Sequence, residues 1–319
     1  MKLKQLFILL LLPFCCNAQA VNTAPAYKNI AVGGYARVSY ENDFFTASDR
    51  YYTQGLDIEV VSPAFRRLIT NKLLYTPPFS YTRYGVGIQH NGYTPNSVSE
   101  NSILYGDRPY AGVTLLKTFA LAIDTVNRQR FYTSVNAGVI GSAAFAGDIQ
   151  MSVHKFLGNY APHGWLHQIR NDVAINYNAA YEKEVLRAGR FLSVSGGANV
   201  NLGSLNCGVG VDGTIMVGYF LSPFTDERRR KGMPQLFIYE HPGIYLPGYD
   251  ATLQGGVFNR YSPYVVTETH VVRPVLRNRY GFVLAWRSVY LEYFVATLSK
   301  EFSTGESHRF GGVQFVVGF

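Results

Sequence analysis

Cysteine is nearly missing from this chain. Three occur in 319 residues, and two of them, Cys15 and Cys16, sit within the first twenty. Downstream only Cys207 remains, so no intramolecular disulfide can staple the fold. Tryptophan is also scarce, at two residues. Charged residues make up only 16% of the chain. After the leader no apolar run approaches about 18 residues, which excludes helical membrane spans.

The first twenty residues, "MKLKQLFILLLLPFCCNAQA", have a basic start, an apolar core from Leu6 to Phe14 and a small-x-small end at Ala18-Gln19-Ala20. This predicts a secretory signal peptide over 1–20, cleaved after Ala18 or Ala20. Residues 21–319 are then expected to form a single domain. Phe14, before Cys15, stands where a lipoprotein signal needs a small residue. The formal charge of +8 includes Lys2 and Lys4, so +6 remains after cleavage. A basic exported protein suits anionic lipid surfaces, and nucleic acid is not an expected partner.

What the chain does contain is aromatic residues and glycine: 24 Tyr, 21 Phe and 31 Gly, with a mean hydropathy of zero. Period-two alternation recurs in about twelve segments. They cover 31–41, 52–62, 81–92, 109–122, 129–140, 172–184, 190–203, 208–221, 234–247, 265–285, 287–300 and 309–319. An even number of alternating segments predicts an all-β fold, a transmembrane antiparallel β-barrel in the bacterial outer membrane. The last segment, "RFGGVQFVVGF", puts Phe315, Val317 and Phe319 on one face and ends on the aromatic. That ending resembles the assembly signal of outer-membrane barrels. "GDIQMSVHKFLG" spaces Ile149, Val153, Phe156 and Leu157 on one helical face. It predicts a short helix in an outer loop, lying against the rim and ending at Gly158. With both termini periplasmic, "DERRRK" (226–231) and "SPAFRRLITNKLLYTPPFS" (62–80) fall on the periplasmic side. They read as solvated turns, or as contacts for peptidoglycan or anionic inner-leaflet lipid.

One loop concentrates polar chemistry. "YENDFFTASDRYYTQGL" (40–56) holds Glu41, Asp43 and Asp49 with Asn42 and Thr53. A carboxylate, an amide oxygen and a hydroxyl suit a hard cation such as calcium. Gln150 and His154, four apart, share one side of the loop helix. A neutral histidine there could draw a proton from water. A solvated turn and a surface histidine remain open at this level.

"ENDFF…DRYYTQGL", "YTP…GDRPYAG", "GVIGSAAFAGDIQMSVHKFLG…GWLHQIRND" and "TLQGG" together resemble, in order, the lipid A 3-O-deacylase family of outer-membrane proteins. The resemblance spans nearly the whole mature chain. It implies a twelve-stranded barrel and a calcium-dependent hydrolase that removes the 3-position acyloxyacyl group of lipid A, within lipopolysaccharide, at the outer leaflet. It further implies His154 as general base, with Asn42, Asp43 and Gln150 in the catalytic set and Asp43, Asn42 and Thr53 near Ca2+. Two departures stand out. Tyr160 replaces a family Glu, with Asp172 as a conceivable stand-in, and a Lys-Arg pair of the second outer loop is missing. The missing pair suggests a different head group, or one held by another residue such as Arg108 or Lys155; Arg108 could equally pair with Asp107 or sit in a structural turn. The other readings are an inactive structural or binding barrel, a glycerophospholipase and a porin.

Overall fold

The computed structural model describes residues 33–46, 48, 50–158, 162–224 and 232–319. The expected leader, Asp49, Tyr160 and the run 226–231 lie outside the described residues. Twelve strands follow one another around a closed antiparallel barrel. They are β1 (Tyr35–Asn42), β2 (Tyr51–Val61), β3 (Tyr81–Thr94), β4 (Ala111–Asp124), β5 (Gln129–Ile140), β6 (Asp172–Ala188), β7 (Leu192–Gly203), β8 (Asn206–Tyr219), β9 (Gln235–Asp250), β10 (Val275–Trp286), β11 (Val289–Leu298) and β12 (His308–Gly318). Closure is made by β1 on β12, in register from Tyr35 opposite Gly318 to Asn42 opposite Gly311. Closure leaves no unpaired strand edge, which is what a sheet in lipid requires.

Alternation assigns the two faces of the wall. Tyr35, Arg37, Ser39 and Glu41 of β1 are buried inward, while Val38 and Tyr40 are exposed outward. Ile238, Phe282, Leu284 and Phe315 continue the outward apolar surface. Buried ion pairs line the lumen. Arg37 reaches Glu59 at 2.7 Å, Asp57 at 2.9 Å and Gln314 at 3.0 Å. Lys117 of β4 closes on Asp57 at 2.7 Å, reaching over β3. Buried charges persist there because each finds a partner.

The rim where β1 begins and β12 ends also carries the short turns 125–128, 189–191 and 287–288, as the periplasmic rim of such barrels does. The long connections 95–110, 141–171 and 251–274 lie at the other rim.

The expected strand over 265–285 begins only at Val275. The alternation before it belongs to a loop that caps the barrel mouth. Val266 donates to Leu253 O at 2.8 Å and Val272 to Glu301 O at 2.8 Å. Val266 is buried with Tyr51, Leu253 and Phe302. These backbone groups are satisfied by neighbouring loops, so no ladder is needed.

Candidate active site

The polar loop of the sequence sits at the outer end of β1 and β2. Asn42 ends β1 on the outward face. Its Oδ1 accepts from Phe44 N at 2.7 Å, and its Nδ2 donates to Thr53 O at 2.6 Å. The first contact shapes the short 3-10 turn Asp43–Thr46. Asp43 is buried, and its Oδ2 accepts from Arg50 N at 2.7 Å, which closes the loop. Thr53 stands at a β-bulge, between Tyr52 and Gln54 in the pairing with β3. A bulge re-aims a side chain out of the ladder. Here Thr53 Oγ1 meets Thr94 Oγ1 at 2.8 Å. Tyr51, immediately before the bulge, holds φ at 67°, a left-handed conformation that bulky residues rarely adopt.

The loop helix α1 (Ala146–Leu157) ends at Gly158, which adopts φ 70° and donates to His154 O and Lys155 O. It lies on the outer face of the wall, over β3 and β4. The sequence leaves open which face it turns to the barrel. Ile149, Val153 and Phe156 are exposed, Phe156 at 89%, whereas Ala146 and Gln150 are buried. The apolar stripe therefore turns away from the barrel, toward the lipid side, and the face with small and polar residues meets the wall. Close approach depends on Gly112, where a Cβ would stand 2.7 Å from Ala146 Cβ.

A hydrogen-bond chain ties this loop to the strands. Thr114 Oγ1 donates to Ala144 O at 3.1 Å, so the contact at 3.0 Å with His90 Nδ1 has the imidazole as donor. His90 Nε2 must then accept from Gln54 Nε2, at 3.2 Å. The same amide of Gln54 lies 3.4 Å from Ala146 O. His90 is thereby a neutral, structural histidine. Its role, with Gln54 and Thr114, was not legible from spacing; the alternation of β2, β3 and β4 placed all three outward but could not pair them.

Gln150 is oriented by Trp165, whose indole N–H donates to Oε1 at 2.6 Å. An indole can only donate, so the amide oxygen must face it and Nε2 faces away. That Nε2 is buried with no hydrogen-bond partner. His154, one turn on, is half-buried. The structure thus links Asn42 to the Thr53 backbone, keeps Asp43 next to Asn42 at the start of the turn, and puts Gln150 on the wall side of the helix with His154 one turn on.

Two expected contacts change character. Arg108 is fully buried, ion-paired with Glu301, and donates to Thr252 Oγ1 at 2.6 Å. Its guanidinium also stacks 4.6 Å from the centre of the Tyr93 ring. It locks outer loops together and is not presented to a head group. Asp172 accepts from Phe258 N at 2.8 Å and Asn259 N at 3.0 Å, so it anchors another loop and does not replace the family Glu. Lys155 is exposed on the helix and remains available.

Asp43, Asn42 and Thr53 would offer only oxygens, with a single carboxylate among them, and such donors suit a hard cation completed by water or substrate. Among the described residues no group of three His, Cys, Asp or Glu side chains forms a site for a softer metal.

Fold and site together define an outer-membrane β-barrel with a polar site on its outer wall, beneath a loop helix. Within that class the chain belongs to the LpxR family: the family model "Outer membrane protein LpxR" matches residues 6–319. Among solved structures it is similar to LpxR from Salmonella typhimurium, at 17% identity and TM-score 0.73, over 89% of this chain and 100% of that one. The β-domain of the Bordetella autotransporter BrkA aligns over 91% of this chain and 100% of that one, at 9% identity and TM-score 0.46. No curated protein matches the chain.

Proposed function

We propose that this protein is a calcium-dependent lipid A deacylase, hydrolysing the ester of the 3-position acyloxyacyl group at the outer leaflet. The observation that carries this reading is the location of the site. Gln150 and His154 face the outer wall, not the lumen, under a helix whose apolar side turns to lipid. A lipid substrate could enter such a site laterally without leaving the membrane.

In this reading His154 takes a proton from water as the water attacks the ester carbonyl, and gives it to the sugar's 3-oxygen as the ester C–O bond breaks, releasing a carboxylic acid and the free 3-hydroxyl. Gln150 Nε2, already desolvated and held by Trp165, donates to the oxyanion that develops. Asp43, with Asn42 and Thr53 as neutral oxygens, would hold the cation, and a bound cation would polarise the ester carbonyl. Lys155 contacts the phosphorylated head group from the helix.

The test is mass spectrometry of lipid A from cells with the protein, without it and with His154→Asn. Loss of one acyloxyacyl group only with the wild-type protein is expected. Unchanged lipid A in all three would leave the inactive-barrel reading standing. Altered glycerophospholipids with intact lipid A would point to a phospholipase.

A further inference from the structure

The β2–β3 connection, residues 62–80, is long for a periplasmic turn, and it does not hang into solvent. It lies flat against the outside of the barrel. Thr70 Oγ1 meets Thr118 Oγ1 of β4 at 3.2 Å. Further along, Thr133 Oγ1 of β5 donates to Tyr75 O at 3.0 Å, and Tyr177 of β6 accepts from Tyr75 N at 3.1 Å. The Tyr75 ring packs edge-on against Phe131. All four wall residues point outward, because their neighbours Lys117, Tyr132, Ser134 and Asn176 line the lumen. The segment covers the wall well enough to bury Ala120 and Ala122, which would otherwise meet lipid.

What this strap presents outward is of two kinds. Ile69, Leu73 and Tyr75 are exposed at 76%, 61% and 61%. Arg66, Arg67 and Lys72 are exposed beside them. Between 62 and 80 there is no Asp or Glu. Apolar side chains on the membrane face of a barrel are solvated by acyl chains. Cations at the same level are unfavourable unless their long stems carry the charge to phosphates. The combination matches an interfacial segment that lies in the membrane plane.

We infer that residues 63–75 form a binding strap for anionic phospholipid of the periplasmic leaflet, with Arg66, Arg67 and Lys72 on the phosphate and Ile69, Leu73 and Tyr75 among the acyl chains. The inference rests on the barrel's place in the outer membrane and is independent of the catalytic reading. It gives the face beneath the candidate site a fixed lipid collar, so the wall of β3 to β6 is dressed at both rims.

The probe is phosphatidylglycerol against phosphatidylcholine of the same chain length, added to detergent-purified protein and followed by native mass spectrometry. Wild-type protein should retain phosphatidylglycerol preferentially. The R66Q/R67Q/K72Q variant should lose that preference by at least about tenfold at low salt, since each cation near anionic lipid contributes about fivefold. An unchanged shift between unheated and boiled samples on gels shows that the variant's barrel is closed. Equal retention of the two lipids by wild type, or an undiminished preference in the variant, overturns the inference. A second arm reads depth. Leu73→Trp in vesicles of acyl-brominated phosphatidylglycerol should be quenched beyond the background of Trp165 and Trp286, and an unquenched Trp at 73 overturns the assignment equally.

Discussion

Asp43 and Glu41 are two carboxylates of one loop, yet they belong to different chemistry. Glu41 faces the lumen, where it accepts from Tyr52 OH at 2.9 Å and lies 3.9 Å from Arg279. Asp43 follows the outward Asn42 and closes the loop through Arg50 N. Asp43→Asn keeps an oxygen for Arg50 N while removing the charge. It should therefore leave the barrel closed and abolish both hydrolysis and its response to chelator, by about a hundredfold or more in rate. Glu41→Gln keeps the Tyr52 contact and should retain most activity. Turnover of lipid A by the two purified variants, with and without chelator, decides; an active Asp43→Asn protein that chelator still inhibits puts the ion elsewhere. Alternation made this division readable, since Glu41 and Asn42 had to point opposite ways. The locking role of Arg108 was not readable, because its partners Glu301 and Thr252 lie 193 and 144 residues away.

At the scale of the element, α1 shows where periodicity informs and where it misleads. Its length and its end at Gly158 were visible in sequence. The direction of its apolar face was not, because the usual rule puts that face on the core. Here the surroundings are lipid, so the stripe turns outward, the wall receives Ala146, and Gly147 and Gln150 pack on Trp165 of the same loop. The start of β10 was missed for a related reason: residues 265–274 alternate but serve a loop that seals the mouth. The helix position hinges on Gly112. Gly112→Val places a side chain against Ala146 and Gly141 O. It should displace α1 and lower activity at least about tenfold, since misplacement near 1 Å already costs that much or more. The barrel, whose ladder does not need that space, should keep its heat-dependent gel shift. Normal turnover in this variant would show that α1 does not position the reacting groups.

The mouth loops supply a pH-dependent clamp. Burial raises Glu301 to about 7, against the opposing pull of Arg108. The closed loop thus holds a proton that an opened loop releases over the interval from the ordinary carboxylate range to about 7. Clamp stability is full below that interval and is lost as pH rises through about 7. Hydrogen exchange of residues 299–307, corrected for intrinsic rate, should accelerate from about pH 5 to about pH 8. Glu301→Gln should flatten that dependence. Arg108→Ala, which leaves the carboxyl buried alone, should loosen the loops by about 3 kcal/mol or more above about pH 7, where Glu301 is ionised, and by less below it.

On the scale of the whole molecule, function is displaced from the centre to the side. The lumen is committed to cohesion: Arg279 pairs with Glu292 at 2.7 Å, and Tyr239 donates to the same carboxylate at 2.5 Å. Together with the Arg37 and Lys117 contacts they cross the barrel from β1 to β4 and from β9 to β12. The space left above them is a polar cavity of about 90 Å³, edged by Asn136, Asn176 and Asn201 and roofed by Leu253 and Thr252 of the short helix Ala251–Gln254. A few waters fit there. The protein should therefore be electrically silent in planar bilayers, unlike a porin of similar strand number. Arg37→Ala removes the hub that binds Glu59, Asp57 and Gln314 together. It leaves two carboxylates facing Lys117 alone, so it should lower thermal stability and admit small, cation-selective currents. Steady large conductance in the wild-type protein would mean that the lumen opens, and the outer wall would then lose its claim as the working face.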